Sequence, residues 1–552
     1  MKLKGLGNRA YNVLFHTHTV AGIVISFALF VIFYAGAFAL FRHEIYQWEN
    51  PNARVQQRGE LNYEKALEEV DKAYGLDWHA VTNIIFPEDK NPFLLVYGEF
   101  HDTDSTTERM AAYVEPGTYR VQDIKKPPTT LGETIYHLHY FRQIPVIGLY
   151  LSGLVALFFL FASVTGILIH WKNLLTKFYA FLVEGKWKQI WTNAHTVLGV
   201  IGLPFQMMYA ITGAFFGLLT LILLPSVLFL FEGDSSKVFN IIRPENGVEL
   251  NHDAKPAKNI TLSVLKKQIE QAYPGYHASR AVVRNYGLED ALITWKIEDG
   301  KGVTSRGSIA MYMSDGVPID EISFSPTQKN YNFGVIEMIS KLHFGEFGGF
   351  PVKVVYFILS MITCFMILSG VLIWRTARDN DKYTQKQRAF HHRVTKVYLA
   401  ICLSLFPAMA VIFIANKLVP MDLEGRTSLV NAVFFSSWLI LLVIGCFWNS
   451  YAKQNRNYLV IGGILSLLVP LANGVMTGDW FWATLQRFPN VASVDISWLL
   501  TGLIALMVSF RFLKLPGEHM ANMTENVKQA TIKEPEAIVE PVMAMDTGFK
   551  KD

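Results

Sequence analysis

The sequence predicts a polytopic α-helical membrane protein of about eight spans, with two small α+β modules outside the bilayer and a helix-module-helix unit that occurs twice. Three observations predict it. Of 552 residues, 51% are hydrophobic and 17% are charged, and several apolar stretches exceed the roughly 18 residues that mark a membrane span. Lysine and arginine crowd into alternate loops. Two stretches 177 residues apart share one pattern: His18-Thr-Val-Ala-Gly22 leads through Ala35-Gly36-Ala37-Phe38, and His195-Thr-Val-Leu-Gly199 leads through Thr212-Gly213-Ala214-Phe215.

The elements follow in order. Residues 1–41 form a short basic N-terminus and a span near 19–41; 42–146 form the first outer module. Residues 147–224 hold spans near 147–170 and 198–224 around a basic loop, and 225–351 form the second module. A span near 352–374 and a basic loop make up 352–396; four further spans, near 397–416, 430–448, 458–476 and 496–513, make up 397–513. The tail 514–552, rich in Lys, Glu, Pro and Met, is expected to be disordered. Pro204, Pro407 and Pro470 lie within spans and predict kinks.

Positive loops resist translocation, so their placement orients the chain. Lys2, Lys4 and Arg9 precede the first span; Lys172, Lys177, Lys186 and Lys188 follow the second. Arg375, Arg378, Lys382, Lys386, Arg388, Arg393 and Lys396 follow the fourth, and Lys453 and Arg456 the sixth. Both termini are therefore expected to be cytoplasmic, with the two modules on the outer side. The first span lacks a small-residue cleavage site before Phe41-Arg42-His43-Glu44, so it is expected to be retained. Cys364, Cys402 and Cys446 sit in apolar spans, which argues against a disulfide framework or a cysteine metal cluster. A net charge of +4, averaged over these regions, does not point to nucleic acid.

The modules share their own pattern. Tyr63–Gly75 and Leu262–Gly275 each read as an amphipathic helix stopped by glycine. Strand-like runs follow at 93–97 and 110–114 in the first module, and at 291–297 and 308–313 in the second.

A second matched pair joins the first: Leu138-His139 precedes a run ending in Thr165-Gly166, and Leu342-His343 precedes one ending in Ser369-Gly370, at equal spacing. Imidazole is a good axial ligand for haem iron, and two histidines leave no open position, which favours electron transfer. The pattern predicts two haem b groups, one between His18 and His195 near the cytoplasm and one between His139 and His343 near the outer face. Gly22 and Gly199, one turn beyond their histidines, would let a flat ring approach the backbone. Gly36 and Gly213, eighteen residues along, reach the outer level; Gly166 and Gly370 return to the inner one. A histidine at a membrane interface also serves as a polar boundary or a packing donor, and duplication preserves packing too. Second choices as ligands are His16, His137, His170 and His392; His391 and His392 together open the fifth span.

This order of helices and modules resembles the PepSY-associated transmembrane family, over about residues 10–378. The resemblance rests on the histidine openings at 18, 195, 138–139 and 342–343, the Thr/Ser-Gly pairs at 165 and 369, and PepSY-like outer modules. It implies an iron-regulated protein of the bacterial inner membrane and, among its haem-containing members, a ferric-siderophore reductase. Ferric siderophore would be the substrate. The donor would be quinol or a separate cytoplasmic reductase, since no glycine-rich dinucleotide motif is present. Other classes remain open: a transporter of an iron chelate, although intramembrane charges are nearly absent, or a PepSY-type regulatory or binding protein without redox activity. The Phe344–Phe350 turn beside His343 is a place where a siderophore could rest, or simply a flexible lead into the helix.

Overall fold

The computed structural model describes residues 7–51, 61–88, 93–101, 107–121, 131–173, 176, 187–251, 253–299, 306–326 and 331–512. Lys2, Lys4, Lys177, Lys186 and the expected disordered tail lie outside the described residues.

In chain order the elements are α1 (Asn8–Ala39), α2 (Arg42–Glu49), α3 (Tyr63–Tyr74), β1 (Thr82–Ile85), β2 (Leu94–His101), β3 (Thr107–Val114), α4 (Leu131–His139) and α5 (Ile147–His170). The second half repeats the order with α6 (Trp187–Ile201), α7 (Leu203–Leu230), α8 (Ser235–Ile242), α9 (Leu262–Ala272), β4 (His277–Arg284), β5 (Leu292–Glu298), β6 (Gly307–Tyr312), α10 (Tyr331–Phe344) and α11 (Gly349–Ala377). Five helices complete the chain: α12 (Gln385–Leu418), α13 (Arg426–Phe447), α14 (Tyr451–Thr477), α15 (Phe481–Arg487) and α16 (Pro489–Phe512). Among the described residues, eight helices are long and apolar enough to cross a membrane, as the sequence predicts.

Several helices begin before the sequence expectation, the fifth span most of all: it starts at Gln385, so His391 and His392 lie within it. Two differences have a clear local reason. Helix α1 begins at Asn8, so His18 sits well inside it and not at its mouth. The polar residues there do not break the helix, because Thr19 returns its hydroxyl to the Phe15 carbonyl at 2.8 Å. The third span comes in two pieces, α6 and α7, meeting at Gly202. Pro204, second in α7, has no N–H to donate back to α6, so the predicted kink becomes a break.

Small residues bring the long helices together. Helix α5 crosses α7 where Gly153 and Gly217 meet backbone to backbone; a Cβ on Gly153 would lie 2.7 Å from the Gly217 carbonyl carbon. Helix α1 packs against α5 and α11, and α6 against α11. The last helices form a second layer in which α12 packs on α13 and α14, α14 on α16, and α12 leans on α1 and α11.

The largest departure from the sequence reading is outside the bundle. The two modules are not separate domains: their strands form one six-stranded antiparallel sheet ordered β3-β2-β1-β4-β5-β6. β1 and β4 join the halves at the centre, with Ile84 opposite Ala281 and Ile85 opposite Arg280. Each three-stranded half would leave an open edge, and pairing the two edges satisfies both. Helices α3 and α9 pack side by side, and the core formed with the sheet is common to both halves, with Leu67, Val70, Val96, Leu265, Ile293 and Trp295 all buried. Phe86 stacks on Trp295 across the seam at 5.9 Å. Glu64 of α3 accepts from the Ser263 N–H at 2.8 Å and its hydroxyl at 2.6 Å, so a carboxylate from one half caps a helix of the other.

Helix α2 ties the first half to the last helices through buried polar groups. The Glu49 carboxylate, on a residue only 2% exposed, accepts from Asn416 at 2.7 Å, Arg426 at 3.1 Å and the Leu131 N–H at 3.0 Å. The Trp48 indole N–H donates to Asp495 at 2.7 Å, and Asn473 donates to the other Asp495 oxygen at 2.8 Å. Breaking a buried pair by removing one partner costs about 3–5 kcal/mol, because the other charge remains buried. Glu49→Ala is therefore expected to lower the unfolding temperature in detergent more than Trp48→Phe, which removes one hydrogen bond to a carboxylate, about 1.5–3 kcal/mol. Equal transitions for Glu49→Ala and the parent protein, followed by tryptophan fluorescence, would show that this network does not hold the last helices in place.

Candidate functional site

The four histidines of the matched stretches meet in two pairs. His18 on α1 faces His195 on α6 with ring centroids 6.2 Å apart. His139, the last residue of α4, faces His343 on α10 at 6.0 Å. Two imidazoles that bind one metal ion end-on through Nε2, at about 2 Å each, have centroids about 6 Å apart. Both pairs have the spacing for a shared ion.

Each ring is fixed through its other nitrogen. Nδ1 of His18 meets the Ala162 carbonyl at 2.9 Å, Nδ1 of His195 the Met366 carbonyl at 2.9 Å, and Nδ1 of His139 the Ile32 carbonyl at 2.8 Å. A carbonyl only accepts, so these three Nδ1 atoms carry the proton. His343 reaches the same state by another route. Its Nδ1 lies 2.8 Å from the Thr212 hydroxyl, whose own proton goes to the Met208 carbonyl at 2.8 Å. All four rings therefore present a lone pair at Nε2, and among the described residues no hydrogen bond reaches any of these Nε2 atoms. Burial lowers the pKa of His139 and takes that of His343 down to about 3, so both are neutral. This is the orienting shell that metal-ligating histidines require.

The anchoring is reciprocal. In the first half, α5 holds His18 while α1 holds His139; in the second, α11 holds His195 while α7 holds His343. The anchors on α5 and α11 recur 204 residues apart and the histidines they hold 177 apart: Ala162 and Met366 supply carbonyls, while Thr165 at 3.3 Å and Ser369 at 3.4 Å flank the same nitrogens.

The glycines divide between two jobs. A Cβ on Gly36 would lie 2.6 Å from the His139 ring, one on Gly370 3.0 Å from His195, and one on Gly166 3.4 Å from His18. These three seat imidazoles against helix backbone, at the levels the sequence predicts. Gly213 does not reach His343: a Cβ there would meet Ala156 at 3.2 Å, so it serves the α5–α7 crossing. Thr212, Tyr209 and Phe216 occupy the place beside His343 instead. A Cβ on Gly22 or Gly199 would meet nothing within 4 Å, so neither position is a close backbone contact within the protein.

Two apolar grooves lie along the helices that carry and anchor His18 and His195. One, of about 740 Å³, is lined by Ala21, Val24, Leu157, Phe158 and Phe161; the other, of about 320 Å³, by Leu198, Phe357, Met361, Ile362 and Phe365. They occupy matching positions in the two halves. Fourteen residues of α1, about 21 Å of helix, separate His18 from Ile32, the anchor of His139. Aromatic rings fill part of that interval: Tyr209 is 5.1 Å from His343, 4.6 Å from Phe205 and 6.0 Å from Phe33. The Tyr209 hydroxyl also donates to the His343 carbonyl at 3.0 Å.

The second-choice histidines take other places. His16 is exposed beside Phe15, His137 faces Glu133 at 3.6 Å, and His392 meets the Tyr451 hydroxyl at 2.7 Å through Nδ1. His391 packs on Trp374 at 5.2 Å. His170 ends α5 within electrostatic range of His195, at the depth the sequence assigns it.

The family model of the PepSY-associated TM region matches residues 15–377. The match spans both histidine pairs and the whole sheet and stops where α11 ends. No curated protein matches the chain. With two facing histidine pairs and about two thirds of its length matched, the chain belongs to the family of the PepSY-associated transmembrane region.

Proposed function

We propose that this is a transmembrane haem protein that passes electrons across a bacterial inner membrane and reduces ferric siderophore, or another Fe(III) chelate, on the outer side. The observation that carries the reading is the pairing itself: four Nε2 lone pairs, two and two, at the spacing of a shared ion and at two levels of one bundle. His18 and His195 would hold one b-type haem on the cytoplasmic side, and His139 and His343 a second on the outer side. Haem bound there would supply a one-electron carrier.

The chain's own residues do the rest. The carbonyls of Ile32, Ala162 and Met366 and the Thr212 hydroxyl keep the proton on Nδ1, raise the basicity of Nε2 and hold each ring in place. Gly36, Gly166 and Gly370 let those rings lie against backbone. The two grooves are almost wholly apolar, which keeps water away. The basic loops orient the His18–His195 level toward the cytoplasm, where quinol or a separate reductase would deliver electrons. At the outer face, one electron converts chelated Fe(III) to Fe(II), which hard oxygen ligands hold less tightly, and the iron is released.

Oxidised and dithionite-reduced spectra of the purified protein, with pyridine-haemochrome quantitation, are expected to show about two b-type haems per chain. His139→Ala or His343→Ala is expected to remove roughly half of that signal and the ferric-chelate reduction. His18→Ala or His195→Ala removes the other half. A folded, colourless protein would sink the reading. The glycine seats allow a finer check by the same spectra. Gly36→Leu, driven into the His139 ring, should selectively erase the outer component; two intact components in Gly36→Leu would show that the His139 ring is not held as described.

A further inference from the structure

We propose that the polar face of strands β4 to β6 docks an anionic ferric chelate through the guanidinium groups of Arg243 and Arg280. This rests on the proposed ferric reduction and names the charge class of its substrate.

The sheet register puts Arg280 directly opposite Lys296. Like charges in that position repel and weaken a sheet, so neighbouring anions would be expected to neutralise both. Of the two, among the described residues only Lys296 has a direct ion pair, Glu298 acting on Arg280 through space alone. Lys296 Nζ reaches Glu245 at 2.8 Å and the Ser308 hydroxyl at 2.6 Å. Arg284 spends its donors on the Glu245 carbonyl at 2.6 Å and the Val248 carbonyl at 3.3 Å. Arg306 lies between Glu298 at 3.1 Å and Glu346 at 3.0 Å. Glu88 faces His277 at 3.8 Å. Among the described residues the side chains of Arg280 and Arg243 have neither an ion pair nor a hydrogen bond, and both are exposed.

The patch is also mechanically linked to His343. Arg306, at the start of β6, joins Glu298 on the sheet to Glu346, three residues past His343, and its backbone N–H donates to Glu337 of α10 at 2.7 Å. An anion held by Arg243 and Arg280 would therefore sit on the same frame as the outer histidine pair. Two guanidinium groups suit carboxylate or catecholate oxygens at the rim of a chelate. A cationic tris-hydroxamate complex would be repelled.

The test uses the full chain in zwitterionic-lipid nanodiscs and equilibrium dialysis with radioiron as ferric citrate, ferric tris(2,3-dihydroxybenzoate) or a cationic ferric tris-hydroxamate. The protein should prefer the two anionic complexes. Arg243→Gln with Arg280→Gln should weaken their binding roughly tenfold or more and leave the haem spectrum unchanged. Conservative Arg243→Lys with Arg280→Lys should recover part of the loss. Equal binding of anionic and cationic complexes, or unchanged binding in the Gln variant, would overturn the proposal. So would a Gln variant that loses affinity for phosphatidylglycerol vesicles while keeping it for the chelates, since the arginines would then serve lipid headgroups. Dialysis needs no electron transfer, so charge-selective binding by a colourless protein would remove the redox reading alone, and intact haem spectra with charge-blind binding would remove this proposal alone.

Discussion

The arrangement depends on one constraint: a histidine can offer a lone pair toward a partner only if its proton is committed elsewhere. Here the commitment is made to neighbouring helices. Because α5 secures His18 and α1 secures His139, the spacing of those two helices governs both levels at once. The same is true of α7 and α11 in the second half. Close glycine crossings follow from this requirement, since an imidazole can lie against a helix backbone only where no Cβ stands in the way.

The two halves then meet twice by different chemistry. Inside the bundle the contact is histidine facing histidine. Outside, it is the β1–β4 ladder and the shared core beneath α3 and α9, with Glu64 capping across the boundary. The final helices make a third attachment through buried charges at Glu49 and Asp495, and they lie beyond the family match. Their packing on α1 and α11 buttresses the helices that anchor His139 and His195.

Much of this was legible in the sequence for a physical reason. Membrane helices declare themselves by length and hydropathy, and the repeat marked His18, His195, His139 and His343 because both copies retain the same residue types at the same intervals. What stayed hidden was whatever a side chain does not encode. The anchors at Ile32, Ala162 and Met366 are backbone carbonyls, and any residue type carries one. Gly36 and Gly213 look equivalent in sequence yet differ in task, because Thr212 supplies by hydroxyl what Ile32 supplies by carbonyl. The merged sheet was missed because its central strands are the weakest signals: β1 is four residues long, and β4 is interrupted by a bulge between Ala278 and Arg280. Edge pairing between distant segments leaves no local periodicity to read.

The division of each histidine pair between the halves has a consequence for how the protein comes into being. Neither pair can close on what the first 186 residues provide, because each needs an imidazole from beyond that point. During synthesis the first half thus carries His18 and His139 without the histidines that face them. The seam strand β4 ends at Arg284, well before His343 is made. The sheet can therefore bring the halves into alignment while the last of the four paired histidines is still to come.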